Sequence, residues 1–230
     1  MANNDRTIEG RPYRSQAVEN TLLLTGGFSV LLLAVRMIVT NSIMFGFLLW
    51  NLLLAYVPYA ITKWLFRQNA EKLNRVKFVM MFLLWLIFLP NSFYIITDLF
   101  HLDEGTAAPQ WFNLVLIFSF AWNGLMLGII SLQQMRQLLE PFISIKWRWV
   151  FLYLVMGLNA FGIYIGRYLR FNSWDVITNP FQLAGDIVYL WIHPVRNMEE
   201  WGMIGCFTVL ISLVYQSIEK IGWRHSGEES

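Results

Sequence analysis

Six stretches of the chain are almost wholly apolar: 21–40, 43–66, 77–100, 111–132, 149–169 and 202–219. A helix needs roughly 20 such residues to cross the hydrocarbon core of a bilayer. Backbone polar groups find no water there and must bond to one another within the segment, so each stretch is predicted as an α-helix. The expected fold class is therefore all-α: a polytopic membrane helix bundle of about six transmembrane helices. Polar residues 1–20 and 220–230 read as N-terminal and C-terminal cytoplasmic tails around a single six-helix domain at 21–219. No A-x-A-like cleavage site follows the first apolar run, so it is expected to be a retained helix, not a signal peptide. Between the fifth and sixth runs, within 172–200, FQLAGDIVYLWI surrounds Asp186 with apolar residues. That segment is expected as an interfacial helix or as a packed loop capping the bundle.

Composition agrees with lipid as the solvent. Of 230 residues, 57% are hydrophobic and 14% charged, against about 25% charged in a soluble domain. The net charge of +2 and the lack of a basic cluster interleaved with aromatics argue against nucleic acid as a partner. A lone cysteine, Cys206, excludes an internal disulfide framework. Lys and Arg then set the orientation. With both termini cytoplasmic, 13 of the 17 basic residues fall on the inner side. The four left outside are Arg36, Arg167, Arg170 and Arg196. The expected topology is N-in, C-in.

Against this background the stretch LPNSFYIITDLFHLDEG, Leu89 to Gly105, is out of place. Asn91, Tyr94, Asp98 and His101 are spaced i, i+3, i+7 and i+10, one face of an α-helix. Pro90 is expected to kink that helix and to free a carbonyl, which an asparagine of a neighbouring helix would cap. A second polar stretch, GIYIGRYLRFNSWDV, runs from Gly162 to Val176 on the same predicted side. It carries Arg167, Arg170, Asn172 and Asp175, and its G-x-x-x-G spacing at Gly162 and Gly166 permits close helix approach. Arg36 and Asn51 also lie in the outer half, with Asn123 and Asn159 deeper. Charges inside membrane helices cost roughly 2.5–3.5 kcal/mol each by insertion scales, which makes this set a candidate site. Asp98 is expected within about 4 Å of Arg167 or Arg170, the ion-pair limit.

LPNSFYIITDLFHL and GIYIGRYLRFNSWDV resemble the two signature segments of a family of bacterial integral membrane proteins catalogued as domain of unknown function 1361. The sequence departs from the family pattern at Phe93, where proline is common. The resemblance implies a six-helix-type architecture and a bacterial cytoplasmic-membrane location, and it implies no activity.

Three functions are compatible with these residues. In the first, Arg36, Arg167, Arg170, Asn91, Tyr94, Asn172 and Asp175 bind the head group of an anionic lipid or envelope precursor, for binding or transport, since guanidinium groups grip phosphate and carboxylate bidentately. In the second, the chain is a membrane-embedded enzyme at the outer leaflet. Asp98 and His101 are its catalytic candidates, one helical turn apart, with aspartate orienting a general-base imidazole. No cofactor is expected; a metal held by Asp98, His101 and Asp103 is the weak variant, because zinc favours more His or Cys ligands. In the third, the polar seam only fixes helix register in a structural or regulatory subunit. Protein partners are not indicated; the bilayer itself is.

Overall fold

The computed structural model describes residues 12–68, 74–104, 107–171 and 175–227. Those residues form α1 (Pro12–Thr40), α2 (Phe47–Arg67), α3 (Arg75–Tyr94), a 3₁₀ segment (Ile95–Glu104), α4 (Gln110–Leu139), α5 (Ile145–Arg167), α6 (Asp175–Thr178), α7 (Pro180–Ile192) and α8 (Met198–Gly227). Among the described residues there is no strand. Five segments are long and apolar enough to cross a membrane: Val18–Thr40, Arg75–Asp103, Gln110–Leu139, Lys146–Arg167 and Met198–Lys220. The chain is a polytopic helical bundle.

The second apolar run is not among those five. In α2, Asn51, Pro58, Thr62 and Lys63 dilute a helix of 21 residues. Its position in the bundle is nevertheless that of a full-length neighbour. Near its start Asn51 bonds Asp98; midway Ser92 donates to the carbonyl of Ala55 at 3.0 Å; near its end Thr62 donates to Gln134 at 2.6 Å. It runs beside α3 and α4 for its whole length, about 31 Å at 1.5 Å per residue.

In α3, Trp85, Leu89 and Phe93 are fully buried. Glycines let its neighbours close in. A Cβ on Gly124 would lie 2.8 Å from the carbonyl oxygen of Ser92, and one on Gly128 would lie 2.9 Å from the side chains of Ser92 and Phe93. On the other flank, a Cβ on Gly162 would meet Pro90 Cγ at 2.6 Å. Two small-residue spacings, one in α4 and one in α5, thus clamp α3. Helix α1 joins α4 through polar contacts: Thr25 to Asn123 at 2.7 Å, Asn123 to Ser29 at 3.1 Å, and Arg36 to Asn113 at 2.9 Å. Helix α8 packs on α5, with Ile211 and Tyr215 buried.

Ion pairs collect at one end of the bundle, where Lys63 meets Glu19 at 2.8 Å and Arg136 meets Glu219. At the other end α7 buries Leu190 beside Ala160, Tyr164 and Ile204. It turns Phe181 outward, 91% exposed, with Trp191 and Ile192. The segment is therefore a helix, and its apolar outward residues suit an interfacial layer.

Candidate functional site

Beyond Tyr94 the third spanning segment tightens from an α-helix to ten residues of 3₁₀-helix. The hydroxyl of Thr97 donates to the carbonyl of Tyr94 at 2.7 Å, three residues back. With three residues per turn, side chains at i and i+3 eclipse. Asp98 and His101 therefore stack one above the other, where an α-helix would set them about 60° apart. Runs of 3₁₀ longer than three or four residues are uncommon.

Neighbouring helices take up the two side chains separately. Asn51 of α2 donates from Nδ2 to Asp98 Oδ2 at 2.8 Å. Arg167, at the end of α5, lies 2.9 Å from His101 Nε2 through Nη1. Guanidinium nitrogens only donate, so in this contact Nε2 is the acceptor. The His101 ring meets Phe47 edge-on at 5.2 Å, and the Arg167 guanidinium lies 5.2 Å from the centre of the Phe100 ring. The expected ion pair between Asp98 and Arg167 or Arg170 is not formed. Asn51 holds the acid, and His101 holds the arginine.

These groups line one end of a cleft of about 700 Å³, a size usual for ligand sites. Its floor is the face of α3 that carries Pro90, Asn91 and Tyr94. Its walls are α2, with Trp50, Asn51 and Leu54, and α5, with Leu158, Phe161 and Ile165. Both walls pack near α3, and Ile87, Leu158 and Trp50 between them remain exposed. The cleft thus opens sideways. Leu183 of α7 also lines it.

Of the residues named from sequence, Asn91, Tyr94, Asp98, His101 and Arg167 share this cleft. Arg36 does not. It is 2% exposed, its Nε donates to Asn113, and its guanidinium stacks 4.0 Å from the Phe45 ring centre. Arg170 is exposed and left-handed, φ 58°, where the chain leaves α5. Asp175 accepts from Thr178 at 2.9 Å within α6 and is not part of the lining. Asn172 lies outside the described residues. For the metal variant, no three His, Cys, Asp or Glu side chains converge among the described residues, and Asp103 accepts from Gln110 at the surface. Nor, among the described residues, does an asparagine of a neighbouring helix cap the proline-freed turn. Asn123 bonds Ser29 and Ser119, Asn159 bonds Val155 in its own helix, and Asn51 bonds Asp98. What the sequence did not assign to the site was Asn51 as the partner of Asp98, or the Trp50, Phe161 and Gly162 lining. A lone asparagine in LLWNLLL was the available signal for the first; the aromatic positions carried none, and Gly162 was marked only for close helix approach.

Architecture and cleft together define a multi-pass helical membrane protein with a polar-headed, laterally open cleft. The model of the family described as protein of unknown function (DUF1361) matches residues 50–214. That is most of the chain, and the protein belongs to this family. No curated protein and no solved structure matches it. The matched span includes every cleft residue except Met44 and Phe47.

Proposed function

We propose that the cleft binds the anionic head group, phosphate or carboxylate, of a lipid or lipid-linked envelope precursor at the outer leaflet of a bacterial cytoplasmic membrane. The observation that carries this is Arg167. Its guanidinium lines the cleft and bonds His101, with no acid at salt-bridge distance among the described residues. The donors not given to His101 remain for an anion, and bonds to ionised acceptors are about twice as strong as neutral ones.

An acid–base enzyme has one observation in its favour, the eclipsed Asp98 and His101. However, the Nε2 lone pair that a general base would use is occupied by Arg167. Binding is the function this geometry serves directly; catalysis by His101 requires the arginine to leave first.

The test is native mass spectrometry of protein extracted in mild detergent. A phosphate- or carboxylate-bearing lipid should accompany the wild type and be lost from Arg167→Gln. It should be kept by Arg170→Gln and Arg36→Met, which lie off the cleft. A wild type without bound lipid, or equal loss from all three variants, would leave a scaffold as the better description.

A further inference from the structure

The polar end of the cleft offers two different binding poles, and their order along the helix is informative. Asp98 is 1% exposed and lines the cleft. Its Oδ2 accepts from Asn51, while Oδ1 has no hydrogen-bond partner among the described residues. Asp98 and Arg167 are each without an ion-pair partner among those residues. Oδ1 is not fully buried; a carboxyl oxygen in low dielectric calls for a donor from what fills the cleft. Asp98 precedes His101 by three residues, about 6 Å at the 2.0 Å rise of a 3₁₀-helix. It therefore lies deeper than the His101–Arg167 pair, on the side of the apolar groove. That groove continues past Tyr94 to Leu86 and Leu158, about 12 Å further at the α-helical rise.

From the interior outward, the cleft thus presents apolar wall, acceptor, cation. A ligand complementary to it has a hydrocarbon chain, then a hydroxyl, then an anion. Resting on the binding function proposed above, the geometry points to a single-chain phospholipid with a free glycerol hydroxyl, a lysophospholipid, as the occupant. Its chain lies on the open face of α3 between α2 and α5. Its hydroxyl donates to Asp98, and its phosphate accepts from Arg167. A volume of about 700 Å³ is that of a cleft for one drug-sized molecule, with room inside it for one chain and its head. The side opening between Ile87 and Leu158, 39% and 42% exposed, gives that chain a path from the bilayer.

The order of poles separates this ligand from close analogues. Purified protein, stripped of lipid, would be titrated by native mass spectrometry with three probes of equal chain length. They are lysophosphatidic acid, the alkyl phosphate that lacks the hydroxyl, and diacyl phosphatidic acid. The expected result is lysophosphatidic acid binding about tenfold or more tighter than the alkyl phosphate, since an unmet acceptor penalises the analogue. The diacyl lipid should bind more weakly than lysophosphatidic acid. In Asp98→Ala the preference over alkyl phosphate should vanish while phosphate binding persists. The wild-type comparison stands even if that variant misfolds. Equal binding of alkyl phosphate, or of the diacyl lipid, by the wild type would overturn the lysophospholipid assignment and leave head-group binding intact. Failure of all three probes would overturn phosphate binding itself.

Discussion

A methyl group at Gly162 would stand 2.6 Å from Cγ of Pro90 and 2.7 Å from its Cβ, atoms of a ring that cannot turn aside. Gly157, on the same helix, has nothing within 4 Å of the equivalent position. Gly162→Ala should therefore lower stability by about 1–3 kcal/mol, the usual cost of overpacking. Gly157→Ala should be neutral or gain about 0.5–1 kcal/mol from helix propensity. Thermal unfolding in detergent reads both, and equal shifts would contradict the packing described. The same scale shows how far single residues were legible. Asp98, His101 and Arg167 could be picked out because each is costly in hydrocarbon, and they do line one cleft. Arg36 met the same criterion, yet it stacks on Phe45 and bonds Asn113. Cost marks a residue as needing a partner; it does not say whether that partner is a ligand or a ring.

The element that sets the site is the 3₁₀ segment Ile95–Glu104. A periodicity of 3.6 puts Asn91, Tyr94, Asp98 and His101 on one face, and all four reach the cleft. The tightened winding nonetheless changes their relation, because it stacks Asp98 directly with His101. Inserting one alanine between Asp98 and Leu99 would turn His101 by about 120° in such a helix and break its bond to Arg167. The expected outcome is lost lipid retention with helix content unchanged by circular dichroism. The same insertion between Ala107 and Ala108, in the connection before α4, should leave retention as it was. No local pattern in IITDLFHLDE announces the 3₁₀ winding, since α- and 3₁₀-helices differ by little per residue and packing chooses between them.

For the whole molecule, the distribution of Lys and Arg predicts which end faces the cytoplasm. Reporter fusions at Gln68 and Ala107 should give opposite compartments, with Gln68 inside; a shared compartment would refute the N-in, C-in topology and the placement of the cleft at the outer leaflet. The apolar runs by themselves determined that this chain is an all-helical membrane bundle, because hydrocarbon leaves the backbone no alternative to internal hydrogen bonds. That inference needs only the order of residues along one segment. That α3 meets α5 was legible in the two polar stretches and the Gly162/Gly166 spacing; the other contacts, and where the helices part, were decided by tertiary structure. Gly124 and Gly128 bring α4 against α3, and Gly162 brings α5 against its other flank; the face of α3 between α2 and α5 stays open as the cleft. Pairing Asn51 with Asp98 and His101 with Arg167 joins residues far apart in the chain. In lipid most of each helix surface is apolar, so the pattern along one helix rarely names its neighbour; close packing of particular side chains does.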